Sequence, residues 1–402
     1  MSDRAIIATA ESEAGETALP PARSLTRRVL GDTFVRWGAR FGMVWVGVLT
    51  FAAVFAPLLA NSHPLLMNSG GQWSSPAMRH LTPADVSLLA AALFVGVLYC
   101  LRRIRPRTRV IIFAVTMALV IAAAVLWVKP PKNIIYDQYR EKQHEIDIAF
   151  YAPIPFSPTD HLRDMPELRL KPPSLAHPMG IEADGADVLS SMLHACRIAM
   201  AIGFIATGIA MVLGTILGGL MGYFSKAVDL IGMRLVEMVE AIPTLLLLIT
   251  FVAFFKVNLY LMMAIIGFTS WTGYARYVRA EFLKLRQQDF IQAARACGLP
   301  IWSILFRHML PNGLAPVLVS ASFGIASAIL YESTLSFLGL GEVEEASWGK
   351  LLEQARGLGG TFYWWMMIYP GGAIFLTVLA YNLIGEAMRD AIDPHTNRPQ
   401  QA

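Results

Sequence analysis

Apolar residues gather in eight stretches of roughly 20 positions, the length a helix needs to cross the hydrocarbon core of a bilayer. They lie at about 41–60, 84–101, 109–128, 198–222, 237–255, 259–277, 314–338 and 364–386. The pattern therefore predicts an all-α polytopic membrane protein of about eight spans. The second stretch is the shortest and carries Asp85 at its edge. Two polar intervals are longer than a connection requires. Residues 129–196 are mixed in charge and broken by prolines such as Pro130, Pro131, Pro153, Pro155, Pro172 and Pro173, which predicts a cap packed on the membrane body. Residues 278–312 are amphipathic and punctuated like helices.

In that second interval Phe290, Ala293, Ala294 and Cys297 recur at i, i+3, i+4 and i+7, so they share one face of a helix. Gly298 follows where helices commonly end in a left-handed residue, and Pro300 comes just after. A second helix is expected from Ile301, with Ile304, Leu305 and His308 on one face and Pro311 stopping it. The small side chains of Ala293 and Ala294 suit close approach by another protein. An interfacial helix resting on lipid headgroups fits composition and period equally well.

Composition supports the membrane reading. The 402 residues are 55% hydrophobic and 15% charged, with mean hydropathy +0.51, whereas soluble domains carry about 25% charged residues. The net charge of +4 is small and sits in short loops, which argues for topology and against nucleic-acid binding. Arg23, Arg27, Arg28, Arg36 and Arg40 precede the first span and place residues 1–40 in the cytoplasm. Arg102, Arg103, Arg105, Arg107 and Arg109 place the turn after the second span on the same side. The 278–312 loop and its flanks carry Arg276, Arg279, Lys284, Arg286, Arg295 and Arg307 and belong there too, as do residues 391–402. The acidic 339–363 loop and the 129–196 segment are expected outside. No apolar stretch in the first forty residues reads as a cleavable signal peptide.

Other residue types add little chemistry. Cys100, Cys196 and Cys297 fit neither disulfide nor metal spacing and read as small apolar filler. The eight histidines form no ligand set, and no metal site is expected. Gly214, Gly218, Gly219 and Gly222 read as a close helix contact. Pro243 removes a backbone donor inside the fifth stretch and predicts a kink that shapes either a pathway or its packing. Glu237, Glu240 and Glu386 lie near membrane ends, where snorkelling or local pairing accounts for them. Glu332 lies deeper and, with Pro243, is a candidate pathway residue. No Gly-x-x-x-x-Gly-Lys-Ser/Thr phosphate loop occurs.

Several segments resemble one family. Gln292-Ala293-Ala294, Gly298 four residues on, and Leu310-Pro311 twelve residues after that look like the cytoplasmic "EAA" loop of ABC importer permeases. Gln292 stands where the usual residue is Glu. His177-Pro178 through Ser190, Leu335 through Gly341 and Gly385 through Pro394 resemble further signatures of the peptide and nickel (Dpp/Opp C-type) branch. Four motifs in order over about 220 residues make the resemblance specific. Ala60-Asn61, Trp73 and Tyr151-Ala152-Pro153 are similar to the Yej-type peptide permease.

The resemblance implies a six-helix type I permease core plus an inserted hairpin: the first core span and the hairpin over 41–128, an extracytoplasmic loop over 129–196, and the rest of the core over 197–390. It implies a B-type second permease, two ATP-binding subunits and an extracytoplasmic solute-binding protein as partners, with lipid around the bundle. ATP would act on the partner subunits, and this chain would bind no cofactor. Gln292, Ala293, Ala294, Gly298, Leu310 and Pro311 would couple it to the ATPases in a bacterial inner membrane, with oligopeptides as solute. A nickel or other small-solute permease of the same branch is the nearest alternative. An eight-span membrane enzyme would need clustered polar groups at one membrane face, and a secondary transporter would need coupling-ion groups at the midplane.

Overall fold

The computed structural model describes residues 33, 36–100, 105–129, 148–160, 169–255, 258–342, 345–357 and 361–392. Helix α1 (Trp37–Leu59) leads into a small antiparallel sheet of β1 (Leu66–Ser69), β2 (Gln72–Ser74) and β3 (Ile148–Phe150), in the order β2-β1-β3. Between β2 and β3 the hairpin of α2 (Pro83–Cys100) and α3 (Pro106–Trp127) leaves and returns. Then come α4 (Val188–Phe224), α5 (Lys226–Glu240), α6 (Thr244–Phe254), α7 (Leu259–Thr269), α8 (Trp271–Leu285) and α9 (Asp289–Ala296). The chain closes with α10 (Leu310–Phe337), α11 (Trp348–Gln354) and α12 (Trp364–Ile392). The sheet corrects the purely helical expectation locally: the extended, proline-broken stretch around 148–154 pairs with residues 59–69 to close the cap.

All eight apolar stretches are helical, but two of them are broken. Among the described residues six helices are individually long and apolar enough to span a membrane, and α5 with α6 makes a seventh if the pair is one span. That pair bends by 74° because Pro243, with no N–H to donate, takes an extended conformation (φ −56°, ψ 119°) and starts a new helix. The expected span 259–277 is also interrupted. Its apolar part, α7, is 11 residues or about 16 Å long. Ser270 (φ −98°, ψ 3°) then turns the chain into α8, whose Arg276, Arg279 and Lys284 favour a polar boundary over hydrocarbon.

Helix α4 is the centre of the bundle, touching α1, α7, α8 and α10. Its glycines make the closest of these contacts. A Cβ on Gly214, Gly218 or Gly222 would collide with Tyr274, Ala275 or Phe282 of α8, so packing explains the glycine run. Around α4 the core is apolar, with Ile198, Ile202, Leu248, Ile266 and Leu335 in one cluster. The hairpin stands apart. Most of its apolar side chains are exposed, including Leu93, Val115, Leu119 and Leu126, and Asp85 anchors it by an ion pair to Arg197 of α4.

The two ends of the bundle differ. At one end lies the cap, where Asp187 accepts from the Ser190 amide at 2.8 Å and caps α4, while His177 Nδ1 sits 2.8 Å from the same carboxylate. Buried Glu182 takes a 3.1 Å hydrogen bond from Ser191, and burial pushes its carboxyl up to about 7. At the other end Arg36, just before α1, pairs with Asp390 near the end of α12.

Candidate functional site

The 278–312 interval sits at the end opposite the cap, beside the last turn of α4. Helix α9 starts after Gln288 and ends in a two-bond turn: the Gly298 amide donates to Arg295 O at 2.9 Å and the Leu299 amide to Ala294 O at 3.2 Å. Gly298 takes φ +73° as expected, with nothing within 4 Å of where a Cβ would stand. The same closure ends α10, where Gly339 (φ +76°) and Leu340 bond back to Ser336 and Leu335. Two of the sequence motifs are therefore helix-ending turns.

The face of α9 divides differently from the expected stripe. Ile291 and Ala294 point inward and pack with Ile304, Leu305, Met309 and Val278. Gln292, Ala293, Cys297 and Gly298 are exposed, and so is Phe290. Ala294 thus belongs to the internal packing, and Ala293 to the outer surface. With apolar residues on two sides of one short helix, periodicity alone could not say which side the subunit itself would bury.

Pro311 does not stop the second helix. Residues 301–303 are α-helical, 304–309 form a π-helical turn, and α10 begins directly at Leu310. The Leu310 amide reaches five residues back to Leu305 O. This widened turn precedes Pro311, which has no amide proton and whose ring would crowd the carbonyl four residues before it in a regular helix. Pro311 then occupies the first turn of α10, where a missing N–H costs little. Leu310 is half-buried against the α9 cluster and Pro311 is exposed. Trp302 and Phe306 stack at 5.6 Å on the outer surface and are exposed.

A cavity of about 510 Å³ opens beside α9, lined by Ser225, Leu283, Arg286, Gln287, Gln292 and Arg295. Gln292 Nε2 donates to Gln287 O at 3.0 Å. Arg286 donates to Tyr223 O and Ser225 Oγ, and Arg295 lies 4.9 Å from the Tyr223 ring centroid. The surface therefore joins an apolar shelf to a basic recess. Arg295 stands three residues after Gln292 on the same helix, a neighbour by helical spacing. Arg286 comes from the end of α8, and its place beside Gln292 is not legible in the sequence because the end of α4 supplies the other wall.

The remaining candidates separate. Pro243 marks the break between α5 and α6. Glu332 is buried near the cap end of α10, accepting from Ser336 Oγ at 2.8 Å and Ser333 Oγ at 3.3 Å. The structure packs it beneath α11, where a Cβ on Gly349 would collide with Ser333. It lines neither the recess beside α9 nor the space where α4, α6, α7, α8 and α10 meet. Glu237 and Glu240 pair with Arg234 and Arg276.

A model of the family described as "Binding-protein-dependent transport system inner membrane component" matches residues 214–398. Over 248 residues the chain is 35% identical to the dipeptide transport system permease protein DppC of Alkalihalophilus pseudofirmus, covering 61% of this chain and 81% of that relative. The chain belongs to this family. Two further members are similar: the oligopeptide permease OppC of Haemophilus influenzae, 37% identical over 54% of this chain and 70% of its own length, and the glutathione permease GsiD of Pectobacterium atrosepticum, 39% identical over 55% and 74%. The match begins within α4 and runs through α12, so it contains the α9 surface and excludes the hairpin. In this ABC importer permease fold, α1, α4, α5/α6, α7/α8, α10 and α12 are the six-membered core, and α2/α3 is the addition.

Proposed function

We propose that this chain is the C-type permease subunit of an ATP-driven importer that carries peptides into the cytoplasm of a bacterium. The dipeptide, oligopeptide and glutathione transport named for its relatives supports the solute class. The observation that carries the coupling role is the α9 surface: exposed Gln292 and Ala293, held by the Gly298 turn and bordered by Arg286 and Arg295. Two ATP-binding subunits would seat here and on the matching loop of a second permease. Closure around ATP would move α9, and the helix running from Ile301 into α10 would pass that movement to the core. The excess of Lys and Arg at this end supports a cytoplasmic position for it and for both termini, and an extracytoplasmic position for the cap, where a solute-binding protein would deliver peptide.

Purification of the tagged chain from its native host in mild detergent tests the reading. Recovery of a second permease and two ATP-binding subunits is the expected result. Recovery of the chain alone from membranes that contain those subunits would overturn it.

A further inference from the structure

A second cavity, of about 230 Å³, opens where α4, α6, α7, α8 and α10 meet. Its wall is rich in hydroxyl groups: Thr207, Thr244, Thr269, Ser270, Thr272 and Ser327 line it together with two tyrosines, and no carboxylate, ammonium, guanidinium or imidazole does. Hydroxyls scattered through apolar helices satisfy themselves on their own backbone. Here hydroxyls from five elements converge on one space, within helices that otherwise present apolar side chains. Both helix breaks of the core border it, since Thr244 is the first residue after Pro243 and Ser270 is itself the break between α7 and α8. Irregular backbone within a membrane body is tolerated only where it is buried in protein or lines a water-filled space.

The hydrogen bonds give the wall a direction. Ser327 Oγ donates to Phe323 O at 3.0 Å and Thr269 Oγ1 to Ile266 O at 3.0 Å. Their protons are committed to their own helices, so their lone pairs are what the cavity receives. Thr207 Oγ1 is buried beside the Tyr274 hydroxyl without a well-formed hydrogen bond. Tyr274 in turn reaches Ser320 O at 3.4 Å, in a place that only a glycine at 324 leaves open. The cavity thus offers neutral acceptors and neutral donors at short range. A metal ion or a charged side chain would find no opposite charge here. A main-chain amide, with one N–H and one C=O per residue, matches both kinds of group.

Building on the peptide-permease reading, we infer that this cavity is a segment of the solute pathway that holds the uncharged main chain of a passing peptide. Amide N–H groups meet the Ser327 and Thr269 oxygens, and carbonyl groups meet the hydroxyls of Thr207 and Thr272. Recognition at this point is indifferent to the peptide's side chains, as passage of mixed peptides requires.

The test uses the full complex, with its binding protein, in proteoliposomes, and measures ATP-driven uptake of three labelled tripeptides: neutral, acidic and basic. Thr207→Val, Thr272→Val and Ser327→Ala remove hydroxyls while nearly keeping shape. The triple variant, at matched yield of assembled complex, is expected to lose about tenfold in uptake of all three peptides alike, a factor of the size of one to two net hydrogen bonds. Thr50→Val, which removes an exposed hydroxyl on α1 that donates to Val46 O, serves as control and leaves uptake unchanged. Should the triple variant fail to assemble, Ser327→Ala alone, at an exposed position, carries the test with an expected loss of about threefold. Unchanged uptake in the variants, or a loss confined to one peptide class, overturns the cavity assignment while wild-type uptake upholds the permease reading. No peptide uptake by the wild-type complex overturns both.

Discussion

Gly298 shapes the α9 surface through backbone geometry alone. With φ +73° and open space around it, a side chain there meets strain and no collision. Gly298→Val should cost roughly 1–2 kcal/mol locally, too little to unfold a bundle of this size. Insertion into the membrane is expected to be normal, while peptide-stimulated ATP hydrolysis by the assembled complex is lost. Gly298→Asn, which tolerates the left-handed region, should recover most of it. Full stimulation in the valine variant would refute the assignment. Glu182 gives a second prediction at this scale. Its carboxyl is raised from 4.5 to about 7 by burial, so the folded chain holds a proton that the unfolded chain gives up above pH 4.5. The stability that depends on this proton, on the order of 3 kcal/mol, is fully present below pH 4.5 and is lost as pH rises through about 7. The thermal midpoint of the purified chain should therefore fall as pH rises between those limits, and Glu182→Gln should flatten the profile. An unchanged slope in the variant would show that other groups set it. Gly298 was legible because Cys-Gly-Leu-Pro is helix-ending chemistry. Glu182 was not, because its partners Ser191 and Lys350 come from α4 and α11.

Among the elements, the hairpin and the α9–α10 joint repay closest attention. Asp85 accepts from the Thr82 amide and hydroxyl, both at 2.7 Å, and pairs with Arg197, whose Nε also donates to Ala53 O at 3.2 Å. Three helices thus meet at one guanidinium. Asp85→Ala would leave the Arg197 charge poorly compensated, at a cost of about 3 kcal/mol, the low end for a buried pair because Arg197 is 20% exposed. A lower thermal midpoint in detergent is expected, with the Asp85→Ala, Arg197→Leu double variant recovering part of the loss. Equal stability of the single variant and the wild type would mean that the pair contributes nothing. The apolar stretches themselves were readable because a span announces itself by length. The joint was not readable, since Pro311 reads as a stop wherever no tertiary contact argues otherwise. The π turn at 304–309 buries Ile304, Leu305 and Met309 against α9 and carries the helix through.

For the whole molecule, the order of spans and the position of the polar intervals followed from hydropathy and charge. The glycine run announced one close helix contact, but three features built from distant segments stayed hidden. The basic recess joins α4 to α9, the hydroxyl cavity joins five helices, and Glu332 is sealed under α11. Pro243 foretold a bend, while Ser270, an unremarkable polar residue in sequence, gave no sign of the second one. The hairpin was foreseen as an insertion, and its placement has a lateral consequence. It stands beside α1, and any helix approaching α1 from that flank meets α2 first. The perimeter of the subunit is thus unequal, open to another helix along α1 only on the flank away from the hairpin.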